Sequence, residues 1–315
     1  MCRATLLHRT ERRPPLPWAQ VMKPDFLGIG APRSATSWLH RALTGHPDLW
    51  LPPVKELHWF DVQRSASHEH YPIPGADPLA IGRQFRRDHR RLLLRELRGG
   101  KGLADLPFAA RYLLGRRSDS WYASLFPSDK ISGEITPAYM ILPREIVVAL
   151  AAARPDLRAI LLLRDPIDRI WSGTRHFALT AQAAGAPLDA ATRQRIVERF
   201  DSPGVRLRTD YLRTLGIWRG VLGPERVFVG FYDELAEAPR SLLERIFRFL
   251  GADPSPPGWQ PDLGRRVNAA EPTDLPPELA RELARRYCEP LRALAAEFGG
   301  PPARWLARAE RLANG

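Results

Sequence analysis

The stretch Phe26-Leu-Gly-Ile-Gly-Ala-Pro-Arg-Ser-Ala-Thr-Ser-Trp38 constrains the fold more than any other part of this chain. It reads as an apolar strand, a tight Gly/Pro turn and the start of a helix. That order aims backbone N–H groups and a helix N-terminus at an anion, most often a phosphate. Laid on the phosphate-loop pattern G-x-x-x-x-G-K-[ST] from Gly30, the match departs at two places. Ala35 stands for the second glycine and Thr36 for the lysine, while the basic residue lies three places earlier, at Arg33. A nucleoside-triphosphate enzyme needs that lysine on its β/γ-phosphates and a carboxylate-held magnesium. The loop is built for a different phosphate ester.

Further along, strand and helix patterns alternate. Strands are expected at Phe26–Gly30, Leu49–Leu51, Lys130–Ile135, Leu157–Leu163 and Val227–Phe231. The run Leu157–Leu163 is almost continuously apolar, as a strand buried on both faces of a parallel sheet must be. Helices are expected at Thr36–Leu43, from Pro143 to Ala153, after Asp165 as N-cap with Pro166 at the first position, at Tyr211–Leu222, from Pro239 to Leu250 with Gly251 as its stop, and last from about Pro277 to Phe298. Residues 61–127 read as irregular and charged, 181–206 as a polar stretch. No internal repeat or linker-like break divides the chain, so residues 23–315 are expected to form one α/β domain. Its site should lie at the carboxyl ends of the strands.

Composition narrows the class. The 315 residues are 44% hydrophobic, enough for a substantial core, and the formal net charge is +12. Such a balance favours an anionic partner: nucleic acid, a membrane surface, or an acidic substrate and cofactor. The longest apolar run, Ile146–Ala153, is far short of the ~20 residues that span a bilayer, so no membrane span is expected. Cys2 and Cys288 stand at opposite ends, which fits a reducing, cytoplasmic setting and no cysteine-based metal site. No His/Cys/Asp/Glu group has metal-ligand spacing, so no metal is expected. Residues 1–22 are Arg- and Pro-rich without an apolar signal core. They are expected to be a disordered tail or an over-extended start, with Met22 as the alternative initiator.

Four segments carry a family resemblance. Gly30-Ala-Pro-Arg-Ser-Ala-Thr-Ser37 resembles the loop by which sulfotransferases hold the 5′-phosphosulfate of 3′-phosphoadenosine 5′-phosphosulfate (PAPS). Leu161-Leu-Leu-Arg-Asp-Pro-Ile-Asp-Arg-Ile-Trp-Ser-Gly173 is similar to the family's 3′-phosphate site. Lys55-Glu-Leu-His-Trp-Phe-Asp61 and Gly133-Glu-Ile-Thr-Pro-Ala-Tyr139 resemble segments of the heparan-sulfate-type and bacterial carbohydrate-type branch. They occur in family order, and the similarity spans roughly residues 23–300. The resemblance implies a P-loop-like three-layer fold, a central parallel β-sheet flanked by helices, and a PAPS-dependent enzyme without a metal.

The same resemblance implies roles. Arg33, the amides of Ser34, Ala35, Thr36 and Ser37, the hydroxyls of Thr36 and Ser37, and Trp38 belong to the donor loop. Fixed donors and cations of this kind are what a sulfuryl-transfer transition state requires. Many members carry Lys at position 33, which can protonate the leaving phosphate; Arg, with a pKa above 12, does not. Arg164 and Ser172 correspond to the 3′-phosphate clamp, a planar fork followed by a hydroxyl about two turns into the next helix. Arg265 and Arg266 stand where the family's C-terminal loop closes over the nucleotide, or are simply solvated. Glu56 corresponds to the general base that removes the acceptor's proton, with Lys55 adding positive charge. His58 is the rival base, since histidine does this work in cytosolic small-molecule sulfotransferases.

On the acceptor side, Glu134, Thr136 and Tyr139 correspond to positions near the acceptor, and Trp121, Tyr122 and Phe126 either stack on a sugar or an apolar aglycone or belong to the core. Some members carry Lys directly after the Glu; here it is Ile135. The run Arg83, Arg86, Arg87, Arg90, Arg91, Arg95, Arg98 and Lys101 is either a channel for an anionic glycan or a solvated helix face. The expected acceptor is a hydroxyl, less favourably an amine, of a carbohydrate or other small metabolite. The competing classes are a phosphate-loop kinase or NTPase, and a basic nucleic-acid-binding protein.

Overall fold

The computed structural model describes residues 23–63, 87, 90, 91, 94, 106–127, 129–182, 190–259, 263 and 275–314. The expectations for 1–22, for Arg265 and Arg266, and for most of the basic run 83–101 lie outside these. Within that run Arg87, Arg90 and Arg91 are helical and exposed.

Five strands, β1 (Phe26–Gly30), β2 (Leu49–Trp50), β3 (Ile131–Ile135), β4 (Arg158–Leu163) and β5 (Val227–Phe231), form one sheet in the order β2-β3-β1-β4-β5. Every pairing is parallel, with Leu27 opposite Glu134 on one side and Ala159 on the other. β1 is therefore central and all five of its residues are buried. Because strand side chains alternate between faces, β4 feeds two separate cores. Ala159, Leu161 and Leu163 join one and Ile160 and Leu162 the other. The result is the P-loop-like three-layer α/β fold: helix, sheet, helix.

The smaller core is closed by α1 (Thr36–Thr44) and by a later helix, Pro239–Leu250. That later helix presents Leu242, Leu243, Ile246, Phe247 and Leu250 along one buried stripe, and Gly251 ends it in a left-handed conformation, φ 83°. The larger core takes Phe108, Tyr112, Trp121 and Tyr122 from α2 (Leu106–Leu114) and α3 (Asp119–Ser124). It continues under α4 (Arg144–Ala153), α5 (Pro166–Gln182), α6 (Ala190–Phe200), α7 (Pro203–Leu207) and α8 (Tyr211–Leu222). After β5 come α9 (Tyr232–Glu237) and α10, the helix Pro239–Leu250 just described. The chain ends in α11 (Pro277–Phe298) and α12 (Gly300–Asn314), an antiparallel pair that buries Leu283, Leu291, Leu294 and Trp305.

The expectations for two segments are corrected. Residues 61–127, read as irregular, contain α2 and α3. Residues 181–206, read as a polar stretch, contain α6 and α7. In each case the buried positions are few: Phe108, Ala109 and Tyr112 on α2, Ile196 and Phe200 on α6. Charged and proline neighbours dilute the period that would reveal them. Likewise, the chain does not stop being helical at Phe298, because α12 follows after a single left-handed glycine, Gly299.

Close approach at the centre of the sheet generates a test. A Cβ at Gly133 would lie 2.3 Å from the Phe26 ring, inside van der Waals contact. Gly133→Ala should therefore destabilise the fold by about 1–3 kcal/mol, as overpacking does. Urea denaturation checks it; a midpoint equal to that of the wild type contradicts the packing described.

Candidate functional site

The sheet order reverses between β1 and β4, and both strands end in loops there, which is where a parallel α/β sheet opens a crevice for ligands. From Gly30 the chain turns through Ala31, whose amide donates to the Leu162 carbonyl at 2.7 Å, and Ser34, whose amide donates to the Ala31 carbonyl at 3.2 Å. Arg33 and Ala35 both take left-handed backbone, φ 68° and 62°. Ala35 is the N-cap of α1 and has no side-chain acceptor for the helix's first amides. A helix start has orphan N–H groups that need a partner from elsewhere. Ser34 Oγ is buried without a hydrogen-bond partner among the described residues, and so is Trp38 Nε1. An orphaned hydroxyl beside uncapped amides fits the phosphate end of a nucleotide.

Across the crevice, Arg164 follows β4. Its guanidinium donates to the Arg33 carbonyl at 3.1 Å and lies over the Tyr232 ring at 4.5 Å. The Tyr211 hydroxyl holds the Arg164 carbonyl at 2.9 Å. Asp165 then caps α5, accepting from the Ile167 amide at 2.8 Å. Arg308 of α12 reaches both Asp165, 2.7 Å, and Asp168, 2.8 Å. Burial and the neighbouring Asp168 push the Asp165 carboxyl up to about 6, against the pull of Arg308. Ser172 lies further along α5, half-buried, and Arg33 projects into solvent. The structure thus brings Arg33 and Arg164 to one crevice.

The segment after β2 supplies the second half. Lys55 Nζ donates to Thr36 Oγ1 at 3.1 Å, to Ser37 Oγ at 3.2 Å and to Glu56 Oε1 at 2.7 Å. Glu56 Oε2 is 3.4 Å from His58 Nε2, and His58 Nδ1 is 2.8 Å from Asp61 Oδ2. The order Lys55–Glu56–His58–Asp61 runs from the loop hydroxyls into the interior. From Glu56 inward exposure falls: 37% for the Glu56 side chain, 6% for His58 and 3% for Asp61. Burial opposes the charge on both central groups, yet contacts with His58 and Lys55 hold Glu56 down at about 2. Asp61 and Glu56 raise His58 to about 9. Glu56 and His58 are both left-handed, φ 64° and 52°. Non-glycine residues there cost about 1–3 kcal/mol each, so the surrounding structure must impose the conformation.

Glu134, Thr136, Tyr139 and Trp121, read from the sequence as acceptor-side residues, are all buried. The Glu134 carboxylate accepts from the hydroxyls of Tyr122, Tyr139 (2.9 Å) and Thr136 (2.8 Å). Burial raises its pKa against those three donors. Trp121 donates from its indole to the Arg111 carbonyl at 2.7 Å and packs on Trp59, which stacks on Tyr122. Sequence reasoning missed Asp61 and Arg308, and read Tyr122 only as a ring that stacks on the acceptor or packs in the core, not as a donor to Glu134. Asp61 was within reach, three residues after a candidate histidine. Arg308 comes from a distant helix and carries no local signal.

Comparison with known proteins gives the family and the fold. A family model described as the sulfotransferase family matches residues 24–256, and the chain belongs to that family. Its fold is similar to that of a sulfotransferase from Alicyclobacillus acidocaldarius, with a TM-score of 0.57 and 23% identity over 90% of this chain and 99% of that one. The sulfotransferase domain of the Synechococcus PCC 7002 olefin synthase aligns with a TM-score of 0.48 and 21% identity, over 74% of this chain and 75% of that one. No curated protein matches it in sequence. Family membership supports an enzyme of sulfonate transfer. Among the described residues no helix is long and apolar enough to cross a membrane.

The His58 contacts generate a pH prediction. Its folded pKa, about 9, lies above the ordinary 6.5. Its contribution to stability is therefore full below about 6.5 and lost as pH rises through about 9. The stability gap between wild type and His58→Asn should be widest at about pH 6.5 and just below, and should narrow as pH rises through about 9. Denaturation curves across that range check it; a gap that is flat or grows with pH contradicts the ion pairs described.

Proposed function

We propose that this chain transfers a sulfonate group from PAPS to a hydroxyl, secondarily an amine, of a carbohydrate or other small metabolite, with Glu56 as general base. One observation carries the choice of base. Of the three linked groups Glu56, His58 and Asp61, only Glu56 has substantial exposure, and it is joined to the phosphate loop through Lys55. His58 is closed in between two carboxylates, where it orients Glu56 and balances its charge rather than meeting an acceptor.

In this reading the acceptor oxygen forms a bond to sulfur as the bond from sulfur to the 5′-phosphate oxygen breaks. The acceptor proton passes to Glu56. The amides of Ala35–Ser37 and the Ser34 hydroxyl hold the phosphate end, Arg33 lies at its rim, and Trp38 backs the loop. Lys55 stands where loop and base meet, so it supplies the cation that the phosphate-loop lysine supplies elsewhere, from a different segment of the chain. Arg164 and Ser172 take the 3′-phosphate, which separates this donor from ATP. Arg308, through Asp165 and Asp168, holds the start of α5 in place for them. The carbohydrate assignment rests on the likeness of Lys55–Asp61 and Gly133–Tyr139 to the carbohydrate-type branch.

Glu56→Gln should keep donor binding while turnover falls by about 10²–10⁴, the range for a positioned general base. Transfer of radiolabelled sulfonate to a panel of sugars, phenols and amines measures it. Near-normal turnover in Glu56→Gln, together with an inactive His58→Ala, would reverse the two roles.

A further inference from the structure

The segment that carries Glu56 and His58 is held by a device the chemistry above does not use. The Tyr139 hydroxyl accepts from the Trp59 amide at 2.9 Å and, at a longer 3.5 Å, from the Phe60 amide. It donates in turn to Glu134 Oε1 at 2.9 Å. Both backbone amides can only donate, so they take the hydroxyl's lone pairs and leave its one proton for Glu134. Tyr122 and Thr136 donate to the same carboxylate and keep it in place at the end of β3. One residue further, the Ile135 carbonyl accepts from the Glu56 amide at 3.1 Å. The backbone is therefore gripped at Glu56 and again at Trp59 and Phe60, on either side of His58. Of the two left-handed residues, Glu56 stands at the first grip and His58 lies between the two.

We propose that Glu134, acting through the Tyr139 hydroxyl, is the positioning residue that imposes the strained backbone of residues 56–60 and so sets the Glu56–His58–Asp61 alignment. Both residues are buried, Glu134 at 1% exposure and Tyr139 at 0%, so the role assigned to them runs through the backbone they hold. The inference deepens the reading of Glu56 as base and rests on it. Loss of the hydroxyl lets residues 56–60 relax toward ordinary backbone, which draws His58 away from one or both carboxylates. The groups that face His58 and set its charge are Glu56 and Asp61, with Lys55 next to Glu56 and Glu134 behind.

Tyr139→Phe is the test, because it removes only the hydroxyl and keeps the ring against Phe60, at 5.3 Å between centroids. Histidine-selective NMR follows the His58 titration, assigned with His58→Asn, and this readout needs neither donor nor acceptor. In the wild type His58 should titrate near 9. In Tyr139→Phe it should fall toward the ordinary 6.5, by about one unit or more. Turnover should fall by about 10²-fold, the usual effect of a misplaced catalytic group, with the donor KM and the affinity for adenosine 3′,5′-bisphosphate unchanged. Glu134→Gln, which keeps the shape and two of the accepting positions, should shift both readouts in the same direction by less. Leu242→Ala, a cavity in the other core, serves as the control that loses stability alone. If Tyr139→Phe and Glu134→Gln lower the melting temperature but leave the His58 titration as in the wild type, the proposal is overturned. If Tyr139→Phe does not fold, Glu134→Gln decides on the same criterion. Absence of sulfonate transfer in the wild type defeats the functional reading instead, and leaves the titration result standing.

Discussion

A helix that starts at a left-handed alanine has no side chain of its own to satisfy its first amides, and the rest of the structure follows from where that helix start is placed. β1 is the central strand, so its carboxyl end opens at the reversal of the sheet, beside the end of β4. Uncapped amides at that point, beside a buried Ser34 hydroxyl without a partner among the described residues, are the donors that the proposed donor site uses. Side chains then specialise it. Arg164 approaches from β4 and Lys55 from the segment after β2, and both contact the loop directly.

The second constraint is conformational. Glu56 and His58 occupy backbone that non-glycine residues avoid, and the fold holds them there through the Glu56 amide on β3 and the Tyr139 hydroxyl beyond it. The gain is a graded line of charge. Lys55 lies at the loop, Glu56 is open to the crevice, His58 is enclosed, and Asp61 is deepest. A carboxylate pinned between two cations stays ionised across the working pH range, and the cation behind it is kept charged by the second carboxylate. In the proposed reaction, charge placed in advance needs no reorganisation when the acceptor proton reaches Glu56.

Much of this was legible in the amino-acid order because the relevant signals are local. Leu157–Leu163 had to be a doubly buried strand, and the α10 stripe from Leu242 to Leu250 had to be a helix on a core. The loop Gly30–Ser37 and the pair Lys55–Glu56 lie in short contiguous segments whose residue types show their chemistry. What failed to show was of two kinds. Helices such as α2, α3 and α6 bury only two or three residues each among arginines and prolines, so no period stands out. The hydroxyls of Tyr122 and Tyr139 meet Glu134, and Arg308 meets Asp165 and Asp168, across long sequence separations. Glu134 therefore read as an acceptor-side residue, although its carboxylate faces three hydroxyls inside the core. Burial is a property of the fold, and the motif Gly133–Tyr139 contains nothing that reveals it.

The central claim is that the β1–α1 loop and Arg164 together select a nucleotide bearing a 3′-phosphate. Thermal unfolding of the wild-type protein, with adenosine 3′,5′-bisphosphate or with ATP and magnesium at equal concentrations, tests it most directly. At a hundredfold excess over its Kd the bisphosphate should stabilise the protein by about 2.7 kcal/mol, with ATP well behind. Equal or greater stabilisation by ATP would contradict the account and return the loop to the triphosphate-binding class.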